Sequence, residues 1–281
     1  MISIPSIKRA RFWALLPAIA LAISIAVLVG QFAPAEASRK PRGDRPTIVL
    51  VHGDWADGSS WNRVTKRLID RGYNVVVPPN PLRGPIEDGA YLRSFLETIH
   101  GPIVLAAHSY GGFVITNAAT GLSNVNALVY VDAFIPDQGD TLFGLVPNSC
   151  LAADPNKVFN QVPVPGGVDL YLQTAPNAPY PGFAECFANG VDPETTALLA
   201  ATQRPASLNE AVEVSGPPAW KTIPSWSLIG TQDHVVPPDA QEFMSKRANA
   251  TIETVDAGHL SLITRSEAVT KMIEAAAAAT S

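Results

Sequence analysis

Charge is scarce in this sequence. Asp, Glu, Lys and Arg make up only 16% of 281 residues, and the formal net charge is −5. A chain that is 47% hydrophobic and so weakly charged has the composition of a packed core and not of a disordered polymer. Lys and Arg form no cluster beyond the N-terminus, which excludes the electrostatic footprint of a nucleic-acid binder. The five histidines lack the spacing of metal ligands, so no metal is expected. Cysteine is limited to Cys150 and Cys186, the minimum for one bridge. No internal repeat is apparent.

The first 45 residues are a different material from the rest. Lys8, Arg9 and Arg11 form a basic leader, Phe12 to Gly30 carries no charge, and Ala35-Glu36-Ala37 fits a small-x-small cleavage site. This is the pattern of a signal peptide over residues 1–37, cut after Ala37. Residues 38–46 then read as a polar linker. The alternative is an uncleaved anchor, because the apolar run approaches the length that spans a bilayer. Either way the folded part, 47–281, lies outside the cytoplasm, as a periplasmic or secreted protein in the first reading and a membrane-anchored one in the second.

From Thr47 onward short apolar runs alternate with amphipathic ones. Strands are expected at 47–53, 74–80, 103–109, 127–134, 225–231 and 252–258, the middle ones continuously apolar as in strands covered on both faces. Helical patterns fall between them, at Trp61–Arg71, Tyr91–His100, Gly112–Thr120, Asp239–Arg247 and Ser266–Ala279. This alternation predicts a mostly parallel sheet with helices on both faces. Residues 136–224 break it. They show no convincing strand, one helical stretch (Pro193–Thr202) and frequent proline, glycine and aromatic residues. A segment that long inside a compact domain is a functional insertion, read here as a cap over one end of the sheet. Both cysteines lie in it. An exported chain meets an oxidising compartment, so Cys150 and Cys186 are expected to pair; the alternative is two free thiols.

Ligands of open parallel sheets sit beyond the carboxyl ends of the strands. His52-Gly53-Asp54-Trp55 follows the first strand, Ser109 the third, and Asp132 ends the fourth. Asp233 follows the fifth and His259 the sixth. Nucleophile, acid and histidine thus occur in the order Ser…Asp…His, and Ala107-His108-Ser109-Tyr110-Gly111 matches the elbow motif G-x-S-x-G with alanine for its first glycine. From Thr47 to its end the chain resembles the α/β-hydrolase superfamily, most of all the compact branch of plant methylesterases, hydroxynitrile lyases and bacterial carboxylesterases.

That resemblance implies a cofactor-free serine esterase acting on a small-molecule ester. Ser109 would attack as the nucleophile, His259 would be its base, and Asp233 would orient His259. Asp132 is the alternative acid. The backbone N–H groups of Asp54 and Tyr110 would form the oxyanion hole, with the Asp54 side chain pointing away. Trp55 and Phe134 would line the substrate pocket, although plain packing serves equally for Phe134. His108 and His234 flank the catalytic residues and are expected to point elsewhere. Activity would titrate near the ordinary histidine value of about 6.5. A hydroxynitrile-type lyase and a non-catalytic ligand-binding relative are the alternatives. Against the lyase stand Leu260, where those enzymes carry a lysine, and Gly53, where they carry a hydroxyl residue.

Overall fold

The computed structural model describes residues 45–152, 154–174 and 182–280. The expected leader and nearly all of the linker lie outside these residues. In chain order the first half contains β1 (Thr47–Val51), α1 (Asn62–Asp70), β2 (Asn74–Val76), α2 (Pro85–Leu96), β3 (Ile103–His108), α3 (Gly111–Ala118) and β4 (Val125–Val131). Then come β5 (Phe159–Val164), β6 (Gly167–Leu172), α4 (Pro193–Thr202), β7 (Ala206–Ser207) and α5 (Leu208–Val212). The chain closes with β8 (Ser225–Gly230), α6 (Pro238–Arg247), β9 (Thr251–Val255) and α7 (Ser266–Ala279).

Six strands form one parallel sheet in the order β2-β1-β3-β4-β8-β9. Every residue of β1 and β3 is buried, which is why their sequences are apolar without alternation. The chain runs from β1 outward to β2, then returns to β3 on the other side of β1. The topological switch point therefore lies between β1 and β3, and the crevice for a ligand opens beyond their carboxyl ends.

The turn from β3 into α3 depends on close backbone approach. A methyl group on Gly112 would lie 1.9 Å from the carbonyl oxygen of Phe134, and one on Gly111 would lie 3.0 Å from the carbonyl oxygens of Val51 and His52. Only glycine lets α3 begin this close to the ends of β1 and β4.

Two sequence expectations need correction. Helix α2 starts at Pro85 and not at Tyr91. Pro85 occupies the first helical turn, where proline is favoured. Gly89 is where α2 touches α3, since a methyl there would lie 3.0 Å from Asn117 Cβ. Residues 136–224 also contain strands. β5, β6 and β7 form an antiparallel sheet in that order. Pro163 obscured the signal, but β5 pairs on one side only and tolerates a missing N–H. Pro165-Gly166, with Gly166 at φ 90°, supplies the turn of the β5–β6 hairpin. Cys150 and Cys186 form a disulfide across a separation of 36, their Cα atoms 6.0 Å apart, inside the usual range. The segment thus has regular structure of its own in addition to this bridge.

Gly112→Ala is expected to lower the unfolding free energy by about 3 kcal/mol or more, because backbone on both sides must move. Urea titration measures this, and an unchanged midpoint contradicts the close approach.

Candidate active site

Ser109 is the first residue beyond β3 and holds φ at 55°. This left-handed conformation turns the chain sharply and presents the side chain above the sheet. β8 and β9 bring Asp233 and His259 to the same place from the far side of β4. His259 Nε2 lies 2.9 Å from Ser109 Oγ, and His259 Nδ1 lies 2.8 Å from Asp233 Oδ2. All three side chains are buried.

Asp233 cannot reorient. Its Oδ1 accepts from the N–H groups of Val235 at 2.8 Å and Val236 at 3.0 Å, and its Oδ2 accepts from Gln241 Nε2 at 2.9 Å. Burial pushes this carboxyl up, and the two backbone donors oppose the shift. Burial pulls His259 down, to about 3. The imidazole is therefore neutral at ordinary pH. Its Nδ1–H donates to Asp233, which leaves the Nε2 lone pair facing the Ser109 hydroxyl.

Asp132 sits elsewhere in this arrangement. Its Oδ1 accepts from Gly230 N at 2.8 Å and its Oδ2 from Ser261 N at 3.0 Å. It ties the end of β8 to the turn that carries His259, and both of its oxygens are engaged with backbone. Burial, then the neighbouring Asp233 charge, raises its pKa.

His108 does not point elsewhere. Its Nε2–H donates to the His259 carbonyl oxygen at 2.8 Å, and the two rings lie 4.6 Å apart. Burial, followed by His259, holds its pKa well below the ordinary value, so it acts as a neutral brace behind His259. His234 does point outward, with Nδ1 3.3 Å from the Glu185 carbonyl oxygen.

The first-strand turn faces Ser109 directly. A methyl on Gly53 would lie 2.6 Å from Ser109 Cβ. His52 donates from Nδ1 to Gly53 O at 2.9 Å and accepts at Nε2 from Asn80 N at 3.1 Å. Among the described residues, neither the Asp54 N–H nor the Tyr110 N–H donates to a protein acceptor. Both N–H groups are thus free of protein acceptors. The Asp54 carboxyl is buried and lines the same small cavity as Glu210.

Trp55 stacks on Phe159 at 5.9 Å, meets Phe187 edge-on at 5.8 Å and donates from Nε1 to Leu170 O at 2.9 Å. It lines a mostly apolar cavity with Leu142, Phe143, Leu151 and Leu170. Phe134 is placed differently. Its ring packs on Phe113 of α3 at 5.4 Å, and its N–H donates to Ser109 O at 3.3 Å. It braces the elbow from behind and does not line that cavity.

Three residues of the site escaped sequence reasoning. Gln241 holds Asp233 from α6. Asn189 links the two loops, accepting from His259 N at 3.4 Å and donating to Gln232 O at 2.7 Å. The ring of Phe187 lies 5.4 Å from that of His259. The last two come from the segment between β4 and β8, where no motif marks them.

The α/β-hydrolase family model matches residues 48–272. A carbendazim-hydrolysing esterase of Nocardioides sp. (strain SG-4G) is 32% identical over 115 residues, which is 36% of this chain and 48% of that protein. That match spans about half the length of the relative. An α/β hydrolase of Aspergillus novofumigatus (strain IBT 16806) is 25% identical over 257 residues, or 83% of this chain and 97% of that one. Among solved structures, polyneuridine aldehyde esterase superposes with a TM-score of 0.68 at 17% identity, covering 82% of this chain and 98% of its own; at that identity the likeness concerns the fold alone. With the family pattern extending from β1 into α7, this chain belongs to the α/β-hydrolase family.

Proposed function

We propose that this protein is an exported serine hydrolase that cleaves a carboxylic ester of a small molecule, with Ser109, His259 and Asp233 as its triad. The observation that carries the reading is the hydrogen-bonded series from Ser109 Oγ through His259 to Asp233, at 2.9 and 2.8 Å. It is buried at the switch point of the sheet. The esterase name of the Nocardioides relative supports the bond type, and the leader pattern in residues 1–37 supports export. The segment between β4 and β8 is the cap.

The chemistry follows from the geometry. His259 Nε2 takes the Ser109 proton as Oγ attacks the ester carbonyl. The imidazolium that forms is stabilised by Asp233, whose position is fixed by its three other donors. Negative charge develops on the carbonyl oxygen and is met by the free N–H groups of Asp54 and Tyr110. His259 then protonates the departing alkoxide, which leaves as the alcohol. Water activated by His259 attacks the acyl-enzyme, releasing the carboxylic acid and restoring Ser109. No step requires a cofactor. Leu260, next to His259 and buried, offers no charge for a departing cyanide, so ester hydrolysis is favoured over the lyase reaction. With mandelonitrile and a panel of p-nitrophenyl esters compared, cyanide release faster than ester cleavage would overturn this choice.

Ser109→Ala and His259→Ala are each expected to lower kcat by about 10⁴-fold or more without unfolding the protein, because the two act as a unit. Asp233→Asn is expected to be at least about tenfold more damaging than Asp132→Asn, since only Asp233 touches the imidazole. Kinetics on the best ester, with thermal melts as a folding control, decide this; the opposite ranking of the aspartates would move the acid to Asp132.

The pH dependence has a definite sign. His259 must be neutral to accept a proton, so activity is present above its pKa and is lost as pH falls through it. Burial lowers that pKa to about 3. The acid limb of kcat/KM should therefore lie below the ordinary histidine value of about 6.5, which revises the midpoint expected from sequence. A limb centred above about 7 would contradict the burial argument.

A further inference from the structure

The Asp54 and Glu210 carboxyls meet inside the protein, against the first-strand turn. Both residues are almost wholly buried, at 3% and 2% exposure. The two residues line the same small cavity. Ionised carboxylates only accept hydrogen bonds, so two carboxyls buried beside one cavity are satisfied only when one of them holds a proton. Among the described residues, no protein donor reaches Asp54 Oδ1 or Glu210 Oε2. The proton is thus the one partner available to these oxygens.

The two acids belong to different parts of the molecule. Asp54 lies in the turn after β1, next to Gly53, which packs against Ser109. Glu210 lies in the first turn of α5, inside the segment between β4 and β8. There its Oε1 accepts from Ser207 N at 2.9 Å and completes a capping box, with the Ser207 side chain accepting from Asn209 N at 3.3 Å. The capping box fixes the Glu210 side chain, so its other oxygen is aimed rather than free. β6 makes a second bond to the same turn, from Trp55 Nε1 to Leu170 O at 2.9 Å.

We propose that Glu210 is a positioning residue that holds the oxyanion turn through a proton shared with Asp54. This rests on the hydrolase reading above for its kinetic consequence, but the shared proton itself does not. With the proton in place, the Asp54 side chain is fixed and so is its backbone N–H. Without it, two negative charges face each other in a site with little water, and the turn and α5 are driven apart. An oxyanion donor displaced by about 1 Å loses up to about 100-fold in rate.

The surroundings favour retention of the proton. Burial raises the pKa of both acids; the Asp54 charge raises that of Glu210 further, whereas the Glu210 contact lowers that of Asp54, which puts the proton on Glu210. Asp88, at the start of α2, adds negative charge nearby and accepts from Tyr110 Oη at 2.7 Å. Arg83, in the loop before α2, offsets part of that charge and pairs with Asp169 of β6 at 2.7 Å. Tyr110 is held neutral by burial and by these same carboxylates. A group that acts through its proton works below its pKa and fails as pH rises through it. The device therefore appears as loss of activity on the alkaline side, opposite in sign to the His259 limb.

Glu210→Gln separates this role from simple packing. The amide keeps the shape, accepts from Ser207 N and donates to Asp54, but cannot lose its donor to base. We expect Glu210→Ala to lower kcat about 10- to 100-fold with KM changed less than about threefold. Glu210→Gln should restore kcat to within about threefold of wild type, with the alkaline loss abolished or moved up by at least about one pH unit. Profiles of kcat from about pH 5 to about pH 10 on a p-nitrophenyl ester read this. The infrared difference spectrum of wild type minus Glu210→Gln, taken at neutral pH, reads the proton whether or not the protein is active. A protonated-carboxyl band in wild type that is missing in the variant is expected. Absence of that band, or alkaline limbs that coincide in the two active proteins, would overturn the proposal. Wild type inactive on every ester but showing the band would instead overturn the hydrolase reading and leave the shared proton standing.

Discussion

The backbone conformation at Ser109 is the constraint on which the site depends. A left-handed φ of 55° at a non-glycine residue costs about 1–2 kcal/mol. It persists because everything around it is fixed. Ser109 N and O are both held by backbone, the N–H by Val131 and the carbonyl by Gly112 and Phe134. Gly112 lets Phe134 close in from behind, and Gly53 lets the first-strand turn close in from the front. Trp55 and Asp132, at the ends of β1 and β4, hold φ at 53° and 46°. Strain therefore gathers at the carboxyl ends of three adjacent strands, β1, β3 and β4. Such clustering is typical of functional sites and is maintained by packing elsewhere.

Around that turn, each polar side chain has two jobs. Asp233 is fixed by backbone and by Gln241 before it meets His259. Asp132 joins β8 to the His259 turn, and His108 braces the His259 carbonyl. Together these contacts hold His259 in line with Ser109. Burial does the rest. It keeps the imidazole neutral, excludes competing water and strengthens each hydrogen bond in a low local dielectric. The segment between β4 and β8 takes part through Asn189 and Phe187, so it helps shape the site.

Much of this was legible in the sequence, for a physical reason. Strands buried on both faces must be apolar throughout, so β1, β3 and β4 announced themselves, and the polar residues that end them stood out. The candidates Ser109, Asp233 and His259 were picked out by their places just after β3, β8 and β9, although β9 is half-exposed and gives a weaker signal than β3. The helix at Pro85 was obscured by residues that break helices in the interior but start them at the first turn. β5 was obscured because a single-sided edge strand tolerates Pro163. His108 was misjudged because a residue at the end of a strand can turn inward once the strand stops. Phe134 supports the elbow from behind, a placement set by the close approach of Gly112. Asn189 and Gln241 carry no local signal, and Ser207-x-x-Glu210 signals only a helix start. Their roles arise from contacts across long sequence separations that only the folded chain creates.

Covalent trapping of the nucleophile tests the central claim most directly. A fluorophosphonate should react once per molecule, and peptide mass spectrometry should place the adduct on Ser109, with labelling lost when His259 is replaced by alanine. An adduct on another residue, or an unlabelled folded protein, would contradict the account.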